Sequence, residues 1–215
     1  MDEVLTAPPP VTLTSIPPVT LTGNTIRLEP LTEAHIPDLE YACKDPADSR
    51  RSIWRYLLDA RLYREGGMQR VVKEFLARQA RGTDMPLAII DLKSGNACGT
   101  TRFLEIQCEN LAVEMATWIG LGYERDALNL ESKYLLLQYA FEELGLMRVQ
   151  FKVDTRNFNS IDAIERIKAT REGMARNHIL LQDGTPRSSN LYSILDNEWP
   201  AVKLHMENLM ARAKR

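Results

Sequence analysis

Seven segments of the 215-residue chain combine apolar residues with flanking turn residues, which is typical of strands, and residues 147–154 alternate between apolar and polar. The segments are residues 24–31, two strands within 86–106, and then 111–121, 147–154, 172–181 and 188–195. A turn at Ser94 and Gly95 separates the two strands within 86–106, and the sequence Gln-Asp-Gly-Thr-Pro joins the last two strands as a hairpin.

A period near 3.6 predicts helices between these strands. The clearest helix is expected to begin near Asn129 and to end at Gly145, because Leu130, Tyr134 and Leu137 repeat on one face. Further helices are predicted from Thr32 to about Cys43 and over residues 68–81, 160–167 and 196–215. Residues 46–67 are ambiguous: 52–63 look helical, and Arg-Glu-Gly-Gly at 64–67 is expected to stop the helix.

The order of these elements predicts a mixed α/β or α+β sheet with helices on its faces. The strand–helix–strand unit over residues 111–154 requires a right-handed crossover, so its two strands should be parallel neighbours. Residues 1–22 are proline-rich and contain the sequence Pro-Pro-Val-Thr-Leu-Thr twice, which favours an extended arm. We therefore expect an arm over residues 1–22 and a single domain over 23–215.

Composition excludes several classes of protein. The net charge of −2 argues against nonspecific nucleic-acid or membrane-surface binding. No apolar run approaches the ~20 residues that span a bilayer, and the acidic start, Met-Asp-Glu, is unlike a secretion signal, so we expect a cytoplasmic protein. The three cysteines form no Cys-x-x-Cys pair and the three histidines are far apart, so no metal site is predicted.

Three stretches, residues 88–106, 129–167 and 173–195, resemble the GNAT superfamily of N-acetyltransferases, and within it the branch that acetylates ribosomal-protein N-termini. The resemblance implies a mostly antiparallel sheet of about seven strands with one parallel, splayed pair, and helices on both sheet faces. It also implies that acetyl-CoA lies between the strands at about 112–120 and 148–154. A primary amine of a small molecule or a protein N-terminus would then attack the thioester directly. No nucleic-acid or membrane partner is implied.

The resemblance places the cofactor on exposed amides of one strand and on the loop and helix start that follow. The residues concerned are Thr117, Trp118, Ile119, Arg125, Asp126, Ala127, Leu128, Asn129, Leu130 and Asn157. The family's loop reads (Gln or Arg)-x-x-Gly-x-(Gly or Ala), but this chain has Glu124, Ala127 and Asn129 at those positions. Each amide bond to a charged oxygen contributes ~1.5–3 kcal/mol, which exceeds the ~1 kcal/mol cost of a nearby like charge, so we expect a weakened site that still binds. Ala127 should then have a negative φ.

A second departure is Lys168, which stands where the family usually ends a helix with glycine. Together with the altered loop it supports two alternatives: a non-catalytic GNAT-fold protein that binds a ligand or partner, and an enzyme of this fold reassigned to another reaction.

The candidate catalytic residues are Glu114 and Ser160. Glu114 interrupts an apolar strand and could accept the amine's proton, or it could simply face solvent. Ser160 follows Asn157 in an Asn-x-x-Ser sequence where the resemblance implies a proton donor beside a cofactor contact. The alternative is that both residues cap a helix.

The candidate acceptor-binding residues are Trp54, Tyr56, His178 and Tyr192, each of which could instead be a packing or surface residue. The last helix places Val202, Met206 and Leu209 on one face. That face could dock on its own domain or form a homodimer contact.

Overall fold

The computed structural model describes residues 13–44, 52–123, 125–181 and 184–213, and in these ranges eight strands form one sheet. The order across the sheet is β1-β2-β3-β4-β5-β6-β8-β7. The strands are β1 (Leu21–Thr22), β2 (Ile26–Pro30), β3 (Met85–Asp91), β4 (Ala97–Gln107), β5 (Ala112–Ile119), β6 (Arg148–Asp154), β7 (Thr170–Leu180) and β8 (Pro186–Leu195).

Five α-helices surround the sheet in the described ranges. They are α1 (Ile36–Ala42), α2 (Ala60–Ala80), α3 (Arg125–Gln138), α4 (Phe158–Arg166) and α5 (Trp199–Ala213). Short 3-10 turns cover Glu33–His35, Ile53–Arg55 and Cys108–Asn110, and α3 continues into a π-helical turn over Tyr139–Glu143.

The sheet is antiparallel except between β5 and β6. That parallel pair is short: it runs from Ala112 opposite Arg148 to Glu114 opposite Gln150. Beyond Glu114, β5 keeps its partner β4 on one edge and has no paired strand on the other among the described residues. The predicted fold class and the splayed parallel pair are confirmed, and the eighth strand is the two-residue β1 at the end of the predicted arm.

Two hydrophobic cores fill the two faces of the sheet. One core packs α1 and α2 on the face that carries Ala88 and Trp118. The other packs α3, α4 and α5 on the face that carries Phe151, Tyr192 and Ile194. Helices on both faces were predicted, and they leave the β5–β6 gap between them.

The predicted break at residues 64–67 is confirmed, because the helical geometry of α2 is interrupted at Gly66 and Gly67, and Gly67 has the left-handed φ of +64° that favours glycine. The second half of α2 begins at Met68, whose amide donates a hydrogen bond to the Glu40 carboxylate at 2.8 Å. The predicted start of α3 was wrong, because this helix begins at Arg125 rather than near Asn129. The part of the ambiguous segment at residues 45–51 lies outside the described residues.

The predicted ends of two other helices are confirmed. Gly145 has a φ of +63°, and Lys168 has a φ of +67°, so a lysine occupies a left-handed helix end where glycine is usual. Residues 1–12 of the predicted arm lie outside the described ranges. Leu13, Ile16 and Val19 pack against the core, so the described part of the arm is seated on the domain.

The predicted apolar face of α5 docks within its own chain. Val202 and Met206 are buried in the core beside α3, and Tyr134 of α3 donates a hydrogen bond to Glu207 at 2.7 Å. Of the two alternatives for this face, docking on the domain is therefore the one observed, and a homodimer stays a prediction.

Candidate active site

The gap between β5 and β6 is the centre of the candidate site. It begins where the strands lose their pairing, beyond Glu114 and Gln150, and is flanked by Met115–Ile119 on one side. The predicted cofactor residues Thr117, Trp118 and Ile119 all lie on this unpaired length of β5. Because alternate main-chain groups of an edge strand have no partner, this length can donate hydrogen bonds to a ligand in the gap.

The start of α3 follows β5 directly. Gly122 takes a φ of +93°, which a residue with a side chain rarely adopts, and this turns the chain into the helix. Because α3 begins at Arg125, the predicted residues Asp126, Ala127 and Leu128 lie in its first turn. The main-chain N–H groups of that turn have no carbonyl partner within the helix and carry partial positive charge, so they suit an anion.

The side chains of this turn have different roles. Ala127 is helical and has no positive φ, as expected. Leu128 and Leu130 are buried in the core, so only their main chain is available to a ligand. Glu124 and the side chain of Arg125 lie outside the described residues, and the predicted repulsion between Glu124 and an anion stays untested.

Sequence analysis missed a buried cation in α3, Lys133, which lies about two turns after the start of the helix at Arg125. Lys133 is 5% exposed, and its ammonium donates a hydrogen bond to Asn129 Oδ1. Burial lowers the pKa of Lys133 to about 7. The signal available in the sequence was its position three residues before Leu136 and four before Leu137, which places it on the apolar face of the predicted helix.

Glu114 lies at the base of the gap and is 6% exposed. Lys152 Nζ lies 2.8 Å from Glu114 Oε2 and 2.6 Å from Glu105 Oε2, so one ammonium links both carboxylates. Burial raises the pKa of Glu114, and Lys152 opposes this rise without cancelling it. A buried carboxylate with a raised pKa at the point where a gap opens is a typical general-base candidate.

The face that carries Glu114 also brings His178 and Tyr56 together around a buried arginine. Arg187 donates hydrogen bonds to Ser189 Oγ at 2.8 Å and to the carbonyl oxygens of Tyr56 and Lys152 at 3.2 Å each. His178 is exposed, and burial, followed by the charges of Arg187 and Lys152, lowers the pKa of its imidazole. Arg187 was not predicted, because its partner Tyr56 is 131 residues away in the sequence.

The two remaining acceptor candidates lie in different cores. Trp54 is buried beside α2, where its ring stacks on Tyr63 with centroids 4.3 Å apart and lies 5.8 Å from Trp118 of β5. Tyr192 is 1% exposed on the opposite face of the sheet, and its hydroxyl donates to Glu165 of α4 at 2.8 Å. The structure therefore groups Trp54 with the gap and separates Tyr192 from Glu114.

Asn157 and Ser160 lie at the start of α4, which follows β6. Asn157 Oδ1 accepts a hydrogen bond from the Ser160 amide at 3.3 Å, so Asn157 caps this helix. The capping alternative is thus observed, while contact with a cofactor and proton donation by Ser160 stay predictions.

No cluster of three or more potential metal ligands occurs among the residues that the structure describes. Within the same ranges, none of the helices has the length and apolar character needed to cross a bilayer.

Comparison with known proteins gives the family. Residues 25–170 match the model of the acetyltransferase (GNAT) domain, so the chain belongs to the GNAT acetyltransferase family. A crystal structure described as that of an acetyltransferase superposes with a TM-score of 0.80 at 32% identity, over 92% of this chain and 100% of that one.

Two further similarities concern ribosomal-protein acetyltransferases. A Bacillus subtilis (strain 168) protein named as the ribosomal N-acetyltransferase YdaF is 31% identical over 112 residues, which are 52% of this chain and 61% of that relative. The structure of RimL, described as the ribosomal L7/L12 alpha-N-protein acetyltransferase in complex with coenzyme A, shares the fold with a TM-score of 0.70 at 17% identity, over 84% of this chain and 99% of that one. The predicted family, and with it the predicted class of enzyme, is confirmed.

Proposed function

We propose that this chain transfers an acetyl group from acetyl-CoA to a primary amine, and that the amine is the N-terminus of a protein. The observation that carries the proposal is the β5–β6 gap, which opens beside the buried Glu114 and is followed at once by the free N-terminus of α3. The relatives named for ribosomal-protein acetylation support a protein acceptor over a small-molecule amine. The reaction would take place in the cytoplasm, as the sequence predicts.

The residues present fit the cofactor. The unpaired length of β5, over Met115–Ile119, can donate main-chain hydrogen bonds to the amide-rich pantetheine arm, and the first turn of α3 can hold the diphosphate. Bound acetyl-CoA supplies an activated thioester, so the protein needs no nucleophile of its own. The same β5 amides can stabilise negative charge on the carbonyl oxygen as the amine attacks.

Glu114 is the proposed general base. An N-terminal amine has an ordinary pKa near 7.7–8.0, so it must lose a proton before or during attack. Because the pKa of Glu114 is raised, it is closer to the pKa of the amine, and this favours transfer of the proton from the amine to Glu114. Lys152 is the positioning residue, because its ammonium holds the carboxylate at the edge of the gap.

Ser160 is the proposed proton donor to the departing thiolate. It lies in the first turn of α4, directly after β6, and is half-buried. Asn157 fixes this turn by capping it, which holds Ser160 on the β6 side of the gap. The acceptor would enter from the opposite face, which carries Glu114 and is bordered by Trp54, Tyr56 and His178.

The non-catalytic alternative rested on the altered loop and on Lys168, and Lys168 does have a left-handed φ at the end of α4. Ala127 lies in an ordinary helical turn, and the family match is to an acetyltransferase domain. The helical turn at Ala127 and the family match support activity over the non-catalytic alternative.

A peptide panel tests the proposal directly. Peptides that differ only in their first two residues would be incubated with acetyl-CoA, and both thiol release and the peptide mass would be recorded. The proposal expects one acetyl group per peptide at the α-amine, and no product from a peptide whose N-terminus is already blocked. Thiol release with small amines alone would contradict the protein acceptor. A chain that binds acetyl-CoA but acetylates neither peptides nor small amines would contradict the proposed activity.

A further inference from the structure

The first turn of α3 lacks the glycines that usually shape a diphosphate site, and Asp126 adds a negative charge to it. Positive charge from elsewhere would strengthen an anion-binding site of this kind. Lys133 is a buried cation on the same helix. Its position relative to the first turn and to the gap decides whether it can contact the diphosphate.

The neighbours of Lys133 fix the direction in which it points. Successive residues of an α-helix lie about 100° apart. Ser132 is fully buried under the helix, and Tyr134 reaches α5 through Glu207. Leu136 and Leu137 are fully buried as well, so Lys133 lies within the face with which α3 packs on the sheet. This face contacts β5, the strand that borders the gap.

The side chain also points toward the start of the helix. Helical side chains tilt toward the N-terminus, and the bond to Asn129 Oδ1 holds the ammonium one turn nearer that end. Asn129 is four residues from Arg125, or about 6 Å along the axis. The ammonium thus lies within about one helical turn of the first turn of α3, whose main-chain N–H groups have no carbonyl partner within the helix.

The chemistry of this ammonium is unusual for a packed helix. A lysine carries three donors, and among the described residues its partner is a single neutral amide oxygen. A buried cation without a carboxylate is costly unless an anion compensates it. Burial disfavours the charged form of Lys133 and lowers its pKa to about 7.

We propose that Lys133, held by Asn129, supplies the positive charge with which α3 binds the diphosphate of coenzyme A, in place of the missing loop glycines. This inference rests on the proposed function, since it assigns a residue to the cofactor site named there. It also explains why Asn129 occupies a position where the family has glycine or alanine: the amide is needed to orient the ammonium.

The expected effect is large enough to measure. A unit charge at roughly 7 Å, with an effective dielectric constant of about 20, changes affinity for one negative charge by roughly 50-fold. The test uses calorimetric titration of the full chain with free coenzyme A, so that no acceptor or turnover is needed. Lys133→Met should bind at least tenfold more weakly than the wild type, while Lys73→Met, which changes an exposed lysine on α2, should bind equally well.

A ligand series separates loss of charge from loss of shape. Lys133→Met should weaken coenzyme A and 3′-dephospho-coenzyme A by the same factor, because both carry the diphosphate. Pantetheine, which lacks it, should lose less than threefold. Lys133→Gln keeps a hydrogen-bonding side chain without the charge and should behave like Lys133→Met, which covers the case in which the methionine variant does not fold.

The outcomes separate this inference from the proposed function. If the wild type does not bind coenzyme A at millimolar concentration, the proposed function fails. If the wild type binds and the folded Lys133 variants bind equally well, the assignment of Lys133 alone is overturned. An equal loss for pantetheine and coenzyme A would also overturn it, since the lysine would then shape the gap rather than hold the diphosphate.

Discussion

Replacing Glu114 by glutamine removes the proposed base while keeping the shape of the side chain. The two carboxylates that contact Lys152 differ in a way that makes this change informative. Glu114 is buried at the edge of the β5–β6 gap, whereas the Glu105 side chain is 51% exposed and points from a bulge in β4. Glu105→Gln is therefore a matched control, because it also removes one carboxylate from the same ammonium.

The expected loss is set by the role of the group. A positioned general base contributes about 10²–10⁴-fold to a rate, or roughly 3–5 kcal/mol. The free energy of unfolding should change by less than about 1 kcal/mol, because Lys152 keeps Glu105 at 2.6 Å and is not left unpaired. Activity should therefore fall sharply in a protein that remains folded.

The assay measures the steady-state rate of thiol release from pH 5.5 to 9, with acetyl-CoA as the donor and a peptide as the acceptor. Glu114→Gln should lower kcat by at least 100-fold with little change in the affinity for coenzyme A, and Glu105→Gln should lower it by less than fivefold. The residual rate of Glu114→Gln should follow the fraction of neutral peptide amine, with an apparent pKa near the amine's ordinary value of about 7.7–8.0, whereas the wild type should keep its rate to lower pH because Glu114 accepts the proton. A Glu114→Gln enzyme with near-normal kcat, or one whose pH profile matches that of the wild type, would refute the assignment of the base.

Three further predictions concern stability. Glu131→Ala should lower the free energy of unfolding by about 2–3 kcal/mol in urea titrations, because its carboxylate accepts hydrogen bonds from the amides of Asn24 and Thr25; an unchanged midpoint would show that this link is not needed. Lys168→Gly should raise stability by about 1 kcal/mol, because Lys168 has a φ of +67°, and a loss of stability in the same titration would contradict the strain argument. Lys133→Met should be more stable than the wild type below pH 7, where the buried lysine must be charged. The difference should shrink as the pH rises from about 7 toward 10.5, because the wild-type lysine is increasingly neutral in the folded state and the unfolded state still binds the proton; a difference that is constant with pH would show that the folded-state pKa is not lowered.

Much of the fold could be predicted because its signals are local. The period of two marks strands wherever one side of the sheet is buried, and the helix between β5 and β6 requires a parallel pair. The gap itself depended on the family resemblance, since no local pattern shows that the pairing ends at Glu114 and Gln150. The break within α2 could be predicted because Gly66 and Gly67 are helix breakers on their own. The Glu40 carboxylate that accepts from the Met68 amide could not be predicted, because it is far away in the sequence.

The candidate site was predicted less completely because its polar groups are joined across long distances. Glu114 was predicted from a charge in an apolar strand, but its partner Lys152 could not be paired with it before the strands were placed side by side. Arg187 donates a hydrogen bond to the Tyr56 carbonyl oxygen, and no local sequence pattern predicts a contact between residues so far apart in the chain. Tyr192 was predicted to bind the acceptor, but it lies on the face of the sheet opposite Glu114. The alternation of β8 does not tell which face of the sheet each residue occupies.

Hydrogen exchange with and without coenzyme A tests the central claim most directly, since it reports on the main-chain amides to which the account assigns the cofactor. Saturating coenzyme A should slow exchange in residues 115–119 and 125–128 by at least tenfold, while the amides of β2, over 26–30, should change little. Saturation of the chain without protection of either segment would place the cofactor elsewhere and would contradict the account.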